Sequence, residues 1–279
     1  MLFQRVVIDI DLVIGVVRVP SCWQGLHTHK SQKQFLGRIR HNKSSRSGCP
    51  SISLLDVALS IRLPQRPENR TMLSFLAKRV PRTITANQNP VAFDGGRSFI
   101  EFKAPTDRYL VLNRWPPSSS EANRNIALRP PLHWHRHQTE TFHVLHGVAE
   151  FVCDGQKIIK KAGDMITIPA KAIHTFRNIS ESDELLIEFV LEPMWRERDE
   201  AFFRNVQSYR DDCRKAGIPR SLPQVLLFNW VGGVVLALPG PTIISKPLGV
   251  ALNFFGGLVL GKYILGYKES YPEYYKIRV

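Results

Sequence analysis

The chain has 279 residues, 43% of them apolar and 22% charged, a balance that builds a buried core and excludes a disordered protein. The net charge of +14 alone would suggest nucleic acid or an acidic membrane surface. Half of that excess lies in residues 1–71, residues 72–193 carry only +2, and no basic stripe is interleaved with stacking aromatics, so nucleic acid is not an expected partner.

In chain order, MLFQRVVIDIDLVIGVVRVP is apolar, but Arg5, Asp9, Asp11 and Arg18 interrupt it, and a secretory signal needs an uncharged run. Residues 21–71 are basic and show no apolar period, so little surface is available to offset ordering. Met72 opens MLSFLAKRVPRTI and reads as an alternative start, which makes 1–71 an extension without catalytic duty. The local pair His27 and His29 has no carboxylate partner and is not expected to hold metal.

From about residue 91 the pattern becomes short strands punctuated by turns. FDGG (93–96) is a turn; SFIEFK (98–103) alternates; RYLVLNRW (108–115) is rich in β-formers. TFHVLHG, AEFVCDGQK and DMITIPA follow, with DG and AGD as turns, and ELLIEFVLEP closes the series at Pro193. Strands at spacings near ten residues indicate a closed antiparallel sandwich or barrel. No Gly-rich phosphate motif appears, which argues against a nucleotide fold.

From Met194 the period is helical. Trp195, Phe202, Val206 and Tyr209 fall on one face, and the helix is expected to stop at Gly217 with Pro219 beyond. Two apolar stretches follow, 225–240 and 248–267. The second is 20 residues long, enough to cross ~30 Å of hydrocarbon, with Gly257 and Gly261 in a GxxxG spacing. Asn253 and Lys262 interrupt it. Membrane association through 225–267 and a packed or homodimerising tail therefore both stay open. The four cysteines (Cys22, Cys49, Cys153, Cys213) form no CxxC pair, which points to a reducing, intracellular setting, either cytoplasmic or membrane-associated.

The chemistry concentrates in HWHRHQTETFHVLHG (133–147), which holds five of the nine histidines. Side chains two apart on a strand face the same way, so His133 and His135 point inward if Trp134 points out. A tight turn at Arg136–Thr139 then reverses the chain, and a return strand roughly 5 Å away brings Glu140 to the same volume. His174, after the strand of DMITIPA and its proline turn, supplies a fourth donor. Three imidazoles and one carboxylate make a site for a divalent transition metal such as Fe, Mn or Zn, with one or two positions left for water, dioxygen or substrate. Glu140 has two candidate duties, ligand or catalytic base. His137 belongs in the turn at the rim, His143 faces out, His146 sits at a strand end, and Asn178 bonds a turn.

These residues resemble the cupin superfamily. Its first motif, G(X)5HXH(X)3,4E(X)6G, is matched by His133, His135, Glu140 and Gly147; its second, G(X)5PXG(X)2H(X)3N, by Gly163, Pro169, His174 and Asn178. Fifteen residues separate them. Ala127 and Lys171 stand where the motifs have glycine. The resemblance covers roughly 95–192 and implies a mainly β fold: a single cupin barrel of the double-stranded β-helix or jelly-roll type over 72–193, followed by a helical, hydrophobic extension over 194–279. The layout is also similar to the cupin-domain oxidoreductases of fungal polyketide clusters. That similarity implies a metal-dependent oxidoreductase of secondary metabolism acting on a small, largely apolar, polyketide-like or aromatic substrate. A non-redox cyclase, isomerase or decarboxylase using the same metal, and a non-catalytic small-molecule-binding cupin, are the alternatives.

Overall fold

A computed structural model describes residues 73–119 and 128–276. The extension 1–71, with His27 and His29, and the motif position Ala127 lie outside the described residues.

Ten of the eleven described strands come before the first long helix: β1 (Val91–Phe93), β2 (Ser98–Phe102), β3 (Val111–Trp115), β4 (His133–His135), β5 (Thr139–His146), β6 (Val148–Cys153), β7 (Gln156–Lys161), β8 (Met165–Ile168), β9 (His174–Asn178) and β10 (Leu185–Glu192). The helices α1 (Arg196–Lys215) and α2 (Leu222–Gly232) follow, then β11 (Val234–Leu236) and α3 (Thr242–Leu252), which runs on as a π-helix over Asn253–Ile264. The strands form two antiparallel sheets, ordered β1-β2-β3-β10-β5-β8 and β11-β4-β9-β6-β7. The mainly β fold with helices at its C-terminal end matches the expectation.

Alternation in the sequence becomes alternation in burial. Along β2 every second residue, Ser98, Ile100 and Phe102, is buried. Between the sheets, Phe142 packs against Phe151, Phe176 and Phe189 with ring centroids 4.9–5.3 Å apart, and Trp115 stacks on Phe176 at 4.7 Å. Full burial of such side chains contributes roughly 1.5–3 kcal/mol each before entropy is charged against it.

The turns hold two informative positions. Gly147 has φ +82°, and a Cβ there would overlap the Glu184 carbonyl oxygen, so the motif glycine is sterically required. Lys171, which replaces the second motif's glycine, keeps the left-handed conformation at φ +70°. Its N–H donates to the His135 carbonyl at 2.8 Å. That bond ties the loop before His174 to the strand carrying the first two histidines, and it offsets part of the strain of a side chain in this region.

Two expectations need correction. First, β4 and β5 are not a hairpin. β4 pairs with β9 and β11, while β5 pairs with β10 and β8 in the other sheet. The short turn carries the chain across the interior rather than back along the same sheet. Second, the extension over 194–279 is not helical throughout, because the apolar stretch 225–240 spans two elements. It ends α2, turns at Gly233 (φ +69°) and adds β11 to the barrel sheet beside β4.

The C-terminal elements pack on the barrel through this strand. Trp134 does point away from the histidine side, but it is buried, with Lys246 of α3 5.8 Å from its ring. Asn253, polar within the apolar run, donates from Nδ2 to the Val234 carbonyl at 2.7 Å. Gly257 and Gly261 lie against the backbone of α2, so these glycines mark close helix packing. The opposite face carries exposed Ile243, Ile244, Leu248 and Phe255, and by length and composition Thr242–Ile264 is a helix able to cross a membrane.

On α1, Phe202, Val206 and Tyr209 face inward as expected, but Trp195 precedes the first turn and stacks under Arg198. The other face of α1 is polar and buried. Asp212 accepts from the Thr83 N–H and hydroxyl and from the Tyr274 hydroxyl, and Arg204 donates to the Gln88 carbonyl. Residues 80–90, assigned to the barrel from sequence, thus serve as a strap between α1 and the tail.

Candidate metal centre

His133 and His135 project from β4 in one sheet, Glu140 from β5 in the other, and His174 from the start of β9. The β4–β9 pairing sets His133 directly opposite His174. All four side chains are buried, and one potential donor atom from each lies within 4.8 Å of all the others. The four predicted ligands therefore converge between the sheets, Glu140 reaching the histidines across the interior.

The outer contacts orient two of the rings. His133 Nδ1 lies 2.8 Å from the Pro131 carbonyl and His174 Nδ1 lies 3.0 Å from the Ala172 carbonyl. A carbonyl only accepts, so both Nδ1 atoms carry hydrogen and both Nε2 lone pairs are free for the cluster when the rings are neutral. His174 Nε2 sits 3.0 Å from Glu140 Oε2. His135 Nε2 lies 3.3 Å from the same oxygen but out of line for a hydrogen bond, and its Nδ1 has no partner.

Charge in the cluster is finely opposed. Burial pushes the Glu140 carboxyl up, but the close imidazoles of His135 and His174 outweigh it and hold the group well below the usual carboxylate range. Burial, then the neighbouring His174 and His135, drive His133 well below 6.5 and keep it neutral. Burial also lowers His174, yet its bond to Glu140 and that carboxylate's charge raise it overall. An ionised carboxylate, a neutral imidazole and an imidazole with both nitrogens unpartnered, beside His174, form a donor set that a cation would satisfy. The residues fit a divalent transition metal.

The other described histidines fall outside this group. His137 and His146 are exposed, and His143 bonds Glu188 at 3.0 Å while stacking on Tyr109. Asn178 bonds the Pro116 and Asp183 carbonyls and receives the Ser180 N–H, a turn-holding role.

The cluster opens on a partly enclosed cavity of about 90 Å³ that continues into a wider mouth. Its walls are mainly apolar, with Phe176 and Phe189 from the barrel and Phe202, Val206 and Phe228 from the helices. The lining, aromatic with a few convergent polar groups, suits a small organic molecule. The polar residues of the wall, Asn113, Asn229 and Arg210 among them, are not apparent in the sequence. Their only signal is a helical spacing that places Arg210 one turn after Val206.

Comparison with known proteins gives a consistent set of matches. The family model described as Cupin domain matches residues 127–190. A protein of Aspergillus niger named Probable oxidoreductase yanE is 30% identical over 207 residues, covering 70% of this chain and 79% of that protein. Oxidoreductase macE of Penicillium terrestre is 31% identical over 194 residues, covering 65% and 72%. Probable oxidoreductase virH of Hypocrea virens is 28% identical over 206 residues, covering 72% and 93%.

Proposed function

The chain belongs to the cupin family, and we propose that it is a metal-dependent oxidoreductase acting on a small, largely apolar substrate of polyketide-like or aromatic character. The observation that carries this reading is the buried quartet of His133, His135, Glu140 and His174 opening onto an apolar cavity. The fungal relatives named oxidoreductases support the reaction class. The aromatic part of the lining supports a largely apolar substrate body, since it rewards apolar surface.

His133, His135, Glu140 and His174 would hold the ion, which supplies Lewis acidity or a redox couple beside the substrate. The Pro131 and Ala172 carbonyls keep His133 and His174 in the tautomer that presents Nε2. Glu140, ionised in the cluster, is suited to hold the ion; it would act as a base only with the His135 and His174 rings turned to the ion, because those imidazoles lower its proton affinity. Phe189 and Phe203 from one side and Phe228 from the other exclude water from the floor of the cavity.

The test couples metal analysis to oxygen consumption. Purified protein is expected to carry about one transition-metal ion per chain by mass spectrometry, with uptake of oxygen on addition of a reduced aromatic polyketide. Turnover of substrate by metal-loaded protein without oxygen uptake or any other acceptor would replace this reading with a non-redox cyclase, isomerase or decarboxylase. Protein that binds candidate compounds but never turns them over would be a binding module.

A further inference from the structure

The same cavity has a helical wall that holds charge with no ion-pair partner among the described residues. Arg210 on α1 and Arg220 in the loop before α2 both line the cavity, and no described Asp or Glu makes an ion pair with either. Asp94, the nearby acid, is paired with Arg214 at 3.2 Å. Arg210 Nη2 donates to the Arg129 carbonyl at 2.7 Å and Nη1 to Gln207 Oε1 at 3.4 Å. Both acceptors are neutral, and three of the five guanidinium N–H groups have no acceptor among the described residues. Burial of this partly exposed side chain and then the like charge of Arg220 press Arg210 down to about 9 against the opposing charge of Asp94.

Two further side chains of the same cavity have unmet polar atoms. Asn229 Nδ2 on α2 and Asn113 Oδ1 on β3 have no hydrogen-bond partner, and each residue is only 5% exposed. Buried amides are seldom left this way, because each unmet group costs about 1–3 kcal/mol. An apolar ligand would leave all of these groups unsatisfied.

We propose that the substrate carries a carboxylate, bound by Arg210 with Arg220 beside it, while its apolar body extends along the aromatic walls toward the quartet. Asn229 and Asn113 then bond polar substituents on that body. The proposal rests on the metal-dependent reading for the orientation of the ligand, but carboxylate recognition belongs to the arginines alone. A guanidinium matches a carboxylate with two parallel hydrogen bonds, which fixes direction as well as affinity. Arg210 is thus a specificity and positioning residue that sets which end of the molecule reaches the metal.

The test uses a pair of probes of equal shape, 2-naphthoate and 2-naphthamide, titrated calorimetrically into wild-type protein, with metal content measured on the same samples. Wild type is expected to bind the acid at least tenfold more tightly than the amide. Arg210→Gln is expected to abolish that preference with metal content and melting temperature unchanged. Arg210→Lys should restore part of it, and Arg220→Gln, at an exposed position, should reduce it about threefold. Equal binding of the two probes by wild type, binding of neither at millimolar concentration, or a preference that survives Arg210→Gln overturns the proposal. The titration is repeated after chelator treatment. A preference that disappears with the metal means the ion holds the carboxylate, and the proposal falls. Protein that takes up no transition metal when metal is supplied, yet still prefers the acid, refutes the metal-dependent function and leaves Arg210 in its role.

Discussion

His133 and His174 are register partners across β4 and β9, and their ring centroids lie 4.3 Å apart. Two imidazoles are thus fixed by sheet pairing alone, before any cation arrives. Replacing His174 by Ala should remove one donor and also the 3.0 Å partner of Glu140. Metal affinity is expected to fall by roughly 100-fold or more, above the roughly 10–100-fold cost of losing an outer partner. The sheets do not depend on this ring, so circular dichroism should be unchanged. Full metal content in the variant would show that His174 is not a ligand.

Acid should release the metal by a specific route. His174 is raised above 6.5, whereas His133 is driven well below it. As pH falls from the alkaline side, His174 therefore takes a proton first, and that proton must leave for the ring to ligate. Affinity is expected to drop about tenfold per pH unit once pH is below the His174 value, starting above 6.5, with His133 competing only at lower pH. Competition against a chromophoric chelator between pH 8 and 6 gives the slope. A flat profile over that range contradicts this order of protonation.

Gly147 and Gly163 both have positive φ, +82° and +91°, but only Gly147 abuts other backbone. Ala at 163 costs backbone strain alone, about 1 kcal/mol, a price the chain already meets at Lys171. Ala at 147 adds overlap with the Glu184 carbonyl, and the cost should reach about 3 kcal/mol or more. Denaturant titration of the two variants separates them. Equal midpoints would mean the β5–β6 turn moves freely away from β10.

How much of this was legible in the sequence depends on range. The convergence of the four side chains was, because HXH fixes two of them on one strand face and the spacings to Glu140 and His174 are strand-and-turn distances. The turn 136–138 was not, since a reversal within a sheet and a crossing between sheets use the same turn residues. β11 is three residues inside a longer apolar run, and only its partner β4 makes it a strand. The buried polar face of α1 bonds groups more than 100 residues away, such as Thr83 with Asp212, and so reads as solvated from local pattern. Apolar periodicity reports which face is buried only when the buried partners are apolar too.

The C-terminal helix should control the metal centre from a distance. A Cβ at Gly257 would stand 2.5 Å from the Leu226 carbonyl carbon and the Leu227 nitrogen, both backbone atoms that cannot yield. Gly257→Val is therefore expected to force the π-helix off α2 at a cost of about 3 kcal/mol or more. Asn253, one turn earlier, holds the Val234 carbonyl at 2.7 Å, and β11 in turn pairs Val234 with His135 and Leu236 with His133. Displacing the helix loosens the strand that fixes both histidines, so metal affinity should fall along with the melting temperature. Phe255→Ser, at a side chain 64% exposed on the opposite face, alters the same helix without touching α2 and should leave the metal in place. Hydrogen exchange at Val234–Leu236 distinguishes the cause: protection should be lost in Gly257→Val and kept in Phe255→Ser. A Gly257→Val protein that keeps both β11 protection and wild-type metal affinity would show that the tail and the centre are uncoupled.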